Sequence, residues 1–131
     1  VTGVQTCALP IWRISNLKAA VGTVLQIKPL LKGDPEGKIV CFAQVRGRKK
    51  SIELMAEQYD RYVEHAECET IGIAHGDCPE DAEALIALLN RNHPPKNIIN
   101  ACYEPMTGAH VGPGALALFF YGKKEFRQAT K

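Results

Sequence analysis

The segments Thr70-Ile71-Gly72-Ile73-Ala74-His75, Pro79-Glu80-Asp81 and Asn97-Ile98-Ile99-Asn100-Ala101-Cys102-Tyr103, with what joins them, decide the fold. The first is a short apolar run closed by Gly76-Asp77, the pattern of a buried strand. Pro79 and the two acids then open a helix, where proline and negative charge suit the first turn. Its inner face is read as Ala82, Leu85, Ile86 and Leu89. Asn92-His93-Pro94-Pro95 breaks the pattern, and a second strand follows over residues 97–103. Strand, helix, strand at this spacing is a right-handed βαβ unit, so at least part of the sheet is parallel.

Toward the carboxy terminus lies Gly108-Ala109-His110-Val111-Gly112-Pro113-Gly114, running directly into Ala115-Leu116-Ala117-Leu118-Phe119-Phe120-Tyr121. Three glycines and a proline in seven residues argue against a helix or a regular ladder, so residues 108–114 are expected as a shaped loop. The aromatic and branched run after it is expected as the strand that anchors the loop. Toward the amino terminus, Ile52, Met55, Ala56, Tyr59, Val63 and Ala66 set the buried face of a helix that follows the basic Arg46-Gly47-Arg48-Lys49-Lys50. Before it, residues 29–32 and 38–45 flank Gly33-Asp34-Pro35-Glu36-Gly37 as a hairpin. Earlier still, Ser15 caps a helix with apolar residues at Leu17, Ala20, Val21, Val24 and Leu25, stopped by Pro29. Residues 1–11, VTGVQTCALPI, show neither period; they resemble translated adapter sequence and are expected to be a non-native leader, with the domain occupying 12–131. The expected order is αββαβαββ: an α/β (α+β) domain with a mixed sheet of about four or five strands and three covering helices.

Composition bounds what such a domain does. The 131 residues are 46% apolar and 23% charged, which suits one globular domain with a real core. A formal charge of +2 argues against bulk nucleic-acid binding. The five cysteines stand singly, without CxxC or paired spacing, and read as reduced thiols of a cytosolic protein. No apolar run reaches the length of a membrane span, and a soluble protein is expected.

Among candidate sites, His110 stands out because Gly108, Gly112 and Gly114 flank a titratable ring with backbone that a ligand can approach. The loop is neither a P-loop nor a dinucleotide fingerprint, since no GK[ST] follows and a strand comes next. His75-Gly76-Asp77 ends a parallel strand, the usual ligand side of such a sheet; Asp77 is read as a helix cap, while His75 serves either the core or the site. A metal centre drawn from His75, Asp77, His110 and Glu104 lacks any ligand spacing such as HxxxH, so no metal is expected. The Arg46–Lys50 cluster stands at a helix amino end, where the dipole disfavours cations unless an anion or acidic partner visits.

Taken in order and spacing, Arg13-Ile14-Ser15, Gln26-Ile27-Lys28-Pro29-Leu30-Leu31, Val45-Arg46-Gly47-Arg48-Lys49-Lys50, Ile73-Ala74-His75-Gly76-Asp77 and the 108–114 segment resemble the carboxy-terminal domain of the DegV family. The resemblance implies a bacterial, cytoplasmic, non-catalytic subunit that binds a long-chain fatty acid and presents its carboxylate to a fatty-acid kinase catalytic subunit, which forms the acyl phosphate. In that family the acyl chain lies in an apolar tunnel floored largely by this domain, and a loop histidine, matched here by His110, helps hold the carboxylate. The implied ligand-binding residues are therefore His110, Gly108, Ala109, Gly112 and Gly114, and the implied docking residues are Arg46, Arg48 and Lys49. No cofactor, nucleic acid or stable membrane insertion is implied. The sequence departs from the family at Trp12, where glycine usually precedes the arginine, and at Tyr103-Glu104; the family's amino-terminal domain is also missing, which leaves half of the carboxylate site. Two other classes stay open: a metal-dependent hydrolase using His75 and His110, and an RNA-binding module using residues 46–50.

Overall fold

The computed structural model describes residues 2–6 and 26–128, with the backbone alone for the first five. Among these the elements run β1 (Thr2–Thr6), β2 (Ile27–Gly33), β3 (Ile39–Arg46), α1 (Arg48–Tyr62), a 3₁₀ turn (Ala66–Cys68), β4 (Thr70–His75), α2 (Pro79–Asn92), β5 (Asn97–Cys102), α3 (Pro105–Val111), β6 (Leu116–Phe120) and α4 (Glu125–Gln128). The six strands form one mixed sheet in the order β3-β2-β1-β6-β4-β5. Only β4 and β5 are parallel neighbours, with Ile71 beside Ile98 and His75 beside Cys102, and α2 connects them as the βαβ reading required. The hairpin forms as expected, and Asp34 ties its turn by accepting from the N–H groups of Glu36 and Lys38 at 2.9 and 2.8 Å.

Two expectations are corrected here. Residues 2–6 lack strand periodicity, yet they form β1, antiparallel to both β2 and β6. Ladder bonds use the backbone, so a short segment can complete a sheet without an alternating side-chain pattern. The sheet thus has six strands rather than four or five. The expected helix over residues 15–25 lies outside the described residues, while the short α3 and α4 are additional to the expected order.

Strand alternation divides the sheet's faces. Leu30, Ile71, Ile73, Leu116, Leu118 and Phe120 face α1 and α2, which supply Ile52, Met55, Tyr59, Ala82, Leu85 and Leu89 to the main core. Fully burying each of the leucine, isoleucine, methionine and phenylalanine side chains is worth about 1.5–3 kcal/mol. α4 closes one margin of this core with Phe126, whose ring lies 5.1 Å from that of Tyr62 and 6.0 Å from that of Phe120. Lys32 is also buried there: its Nζ donates to the Phe126 carbonyl and lies 5.0 Å from the Phe126 ring centroid. Burial pushes this ammonium's pKa down.

The other face carries a smaller cluster, Leu31, Val111 and Ala115 with Cys41 and Tyr103 packed against it. Register sets Ala101 beside Ala74 and Ala74 beside Ala117, a row of short side chains across β5, β4 and β6. Beside that row Phe119 stands against Gly72, and Ile99 is 63% exposed.

Candidate functional site at one end of the sheet

The pairings fix strand direction. β3 is antiparallel to β2, β2 to β1, β1 to β6 and β6 to β4, so β3, β4 and β5 all run the same way. Their last residues, Arg46, His75 and Cys102, therefore reach one end of the sheet, and the chain enters α1, α2 and α3 from that end. The basic cluster, the His75-Gly76-Asp77 turn and the glycine-rich segment, far apart in sequence, are gathered there.

The glycine-rich segment is not one loop. Residues 108–111 complete α3, and His110 sits exposed in that helix's last turn. What overrides the glycine is the start of the helix: Pro105 occupies the first turn, and the Glu104 carboxylate caps it by accepting from the N–H groups of Met106 (2.6 Å) and Thr107 (2.8 Å). The Thr107 hydroxyl donates to the same carboxylate. These bonds, the hydroxyl's first, hold the Glu104 carboxyl below its ordinary pKa of 4.5. An interior glycine costs about 1 kcal/mol, which such a cap can offset. The Glu-Pro pair was the sequence signal for this helix. Gly112 ends it with φ 85°, its N–H donating to the Gly108 carbonyl at 2.8 Å. Only 112–114 is a loop.

That loop is fastened to the β4–α2 turn through Gly76. The Gly76 N–H donates to the Ala115 carbonyl at 2.8 Å, and the Gly114 N–H donates to the Gly76 carbonyl at 2.6 Å. A Cβ on Gly76 would stand 2.5 Å from the Gly112 carbonyl oxygen, so no side chain fits. The Tyr103 N–H, donating to the His75 carbonyl at 2.8 Å, ties in the entry to α3. Sequence reading picked out the histidine and missed the glycine beside it as the joint, because its partners lie on the other motif.

His75 is buried, with Nδ1 accepting from the Cys78 N–H at 3.3 Å, which leaves the neutral ring's proton on Nε2. The cap reading of Asp77 is corrected: Cys78 is the N-cap of α2 and makes no side-chain cap bond, while Asp77 is exposed at φ 52°, a conformation Asp tolerates. His75 and Glu104 make separate local bonds, Asp77 and His110 are exposed, and among the described residues no three His, Cys, Asp or Glu side chains are grouped to hold a metal ion.

Within the basic cluster, Arg46, Lys49 and Lys50 are exposed, but Arg48 turns inward. Its Nε donates to Asp81 at 2.8 Å and its Nη2 to the Cys78 sulfur at 3.6 Å. The anion expected to visit this helix start is supplied for Arg48 by the first turn of α2. The Cys78 thiol in turn donates to the Ala115 carbonyl at 3.4 Å, and burial, the largest influence on it, pushes its pKa up. No helix among the described residues is long and apolar enough to cross a membrane.

Comparison with known proteins places this arrangement. A DegV domain-containing protein of Clostridium perfringens is 39% identical over 110 residues, covering 84% of this chain and 38% of that relative, so the chain spans well under half of the relative's length. The crystal structure of a fatty acid binding DegV family protein from Streptococcus agalactiae superposes with a TM-score of 0.71 at 27% identity, over 92% of this chain and 44% of that one. The Fatty Acid Kinase B3 protein of Streptococcus pneumoniae, loaded with linoleic acid, shares the fold at TM-score 0.73 and 17% identity, over 93% of this chain and 44% of its own. The profile described as "Uncharacterised protein, DegV family" matches residues 12–123. That span takes in every segment gathered at the site end of the sheet, and the chain belongs to the DegV family.

Proposed function

We propose that residues 12–131, with β1 of residues 2–6 paired into their sheet, belong to the carboxy-terminal half of a cytoplasmic, non-catalytic fatty-acid-binding subunit. The complete protein binds a long-chain fatty acid and presents its carboxylate to a fatty-acid kinase catalytic subunit, where acyl phosphate is made. His110 donates a hydrogen bond to the carboxylate, with Gly108, Ala109, Gly112 and Gly114 bringing backbone close. The row of short side chains beside Phe119 floors the acyl site, and an amino-terminal domain supplies the remaining wall and polar anchors. Arg46 and Lys49 face the kinase.

The observation that carries this reading is the seat of His110: an exposed ring on a helix end whose following loop is locked by Gly76, on the same side of the sheet as the small apolar cluster of Leu31, Val111 and Ala115. An apolar surface with a few convergent polar groups suits a long-chain acid, and an imidazole can donate to its head. Relatives of the same fold whose names describe fatty-acid binding or a bound fatty acid support it.

The test is titration of the complete two-domain protein with oleate. His110→Ala is expected to lose about 1.5–3 kcal/mol of binding, the scale of a hydrogen bond to a charged group, with unchanged thermal unfolding. His110→Gln, which still donates, should retain more of the affinity. Undiminished oleate binding by His110→Ala would remove the histidine from the site.

A further inference from the structure

We propose that Arg48 is a positioning residue for the ligand loop, acting through the Cys78 thiol and the Ala115 carbonyl, and is not part of the docking rim with Arg46 and Lys49. This rests on the fatty-acid reading of the site and adds to it a device that presets the loop after His110.

A cation at the first position of α1 opposes that helix's dipole, and α1 carries no acid in its first turn to compensate. Arg48 avoids solvent nonetheless, its side chain 25% exposed, and spends two donors inward. The Nε bond to Asp81 would be enough to join α1 to α2. The second bond, Nη2 to the Cys78 sulfur at 3.6 Å, continues into a chain of donation: the thiol donates to the Ala115 carbonyl at 3.4 Å, and that oxygen also takes the Gly76 N–H at 2.8 Å. Ala115 is the residue at which the 112–114 loop enters β6, and the Gly114 N–H is held by the Gly76 carbonyl. Arg48 thus reaches the loop on the side away from His110 without lying in the loop. Two groups donate to the Ala115 carbonyl oxygen, and only one of them depends on Arg48.

The chemistry separates this role from simple helix pairing. Cys78→Ala removes the relay and leaves the Arg48–Asp81 pair; Cys78→Ser keeps a donor; Asp81→Asn weakens the pair and leaves the sulfur contact. Two readouts apply to the complete two-domain protein: affinity for oleate relative to methyl oleate, and hydrogen exchange at the Gly114 and Gly76 amides without ligand. Arg48→Met and Cys78→Ala are expected to speed exchange at both amides and to cut the preference for acid over ester about fivefold, the scale of one neutral hydrogen bond. Affinity for the ester should hold, Cys78→Ser should behave as the parent, and Asp81→Asn should fall closer to the parent than to Arg48→Met.

If Asp81→Asn reproduces Arg48→Met and Cys78→Ala does not, Arg48 is a helix tie and the proposal is overturned. Unchanged amide exchange in Arg48→Met also overturns it. A parent protein that binds oleate and methyl oleate equally defeats the carboxylate reading, and with it the effect claimed on ligand preference; faster exchange in Arg48→Met and Cys78→Ala would then still show the bracing of the loop.

Discussion

Gly76 admits no side chain because the carbonyl of Gly112 occupies the space a Cβ would need. Gly76→Ala must push one backbone away from the other, and we expect a loss of about 2–3 kcal/mol of stability in urea unfolding, in the range of forced overpacking. The same change at Gly37, where nothing lies within 4 Å, meets only the strain of φ 80° and should cost less. Arg46 and Lys49 belong to a different kind of residue, exposed and without a close packing role. Reversing both charges, Arg46→Glu with Lys49→Glu, should lower kinase turnover several-fold and flatten or reverse its fall with added salt while oleate affinity stays level, since rim charges act on encounter. Equal turnover would place docking elsewhere. The histidine and the basic run were legible because unusual residue types announce themselves. Arg48's inward turn was not, since its partners Asp81 and Cys78 come from another helix, and single-sequence patterns carry no information about distant pairs. Lys32 escaped notice for the same reason: a lysine in a hairpin strand reads as solvent-facing until Phe42 and Phe126 are seen around it.

Elements with a clear period were read closely. β4 was placed to the residue and α2 began at Pro79, and β5 ended one residue short of expectation, at Cys102. α1 ended at Tyr62, with Val63 and Ala66 beyond it, because the helix gives way to an extended C-cap and a 3₁₀ turn. α3 failed on composition: glycines were counted as breakers while the cap that outweighs them was passed over. That cap makes α3 sensitive to acid. The Glu104 carboxyl has a lowered pKa in the folded chain, so its contribution is present above the ordinary carboxylate value of 4.5 and is lost as pH falls through the lowered one. Amide exchange at residues 106–110, corrected for intrinsic rates, should therefore quicken as pH falls below 4.5 and through the lowered value, ahead of any change in α2. Glu104→Gln should show fast exchange at neutral pH already. Protection that is indifferent to both changes would mean that packing of Val111 alone holds the helix.

At the scale of the molecule, the α1–α2 layer is closed by Tyr59, whose hydroxyl donates to the His93 carbonyl at 2.9 Å. Burial first, and the neighbouring Asp60 second, push this phenol up from 10.0 to about 12. The unfolded chain then releases its proton before the folded one does, so stability should fall as pH rises from about 10 to about 12, by up to about 1.4 kcal/mol per pH unit. Lys32, with its pKa lowered by burial, works in the opposite sense below 10.5, so the difference between the parent and Tyr59→Phe isolates the phenol. Parallel pH profiles for the two would show that the tyrosine does not set the alkaline limit. The sheet's strand order was beyond sequence reading as well: β1 takes the slot between β2 and β6 through backbone pairing that no side-chain period records. One consequence of the common direction of β3, β4 and β5 is practical. The β2–β3 turn, held by Asp34, lies at the opposite end of the sheet from His110. In a variant whose exposed cysteines, Cys68 and Cys102 among them, are replaced by serine, linkage through Glu36→Cys would anchor the protein to a sensor chip or a bilayer nanodisc with the glycine joint and its histidine pointing into solution, and the molecules on the surface would share that heading.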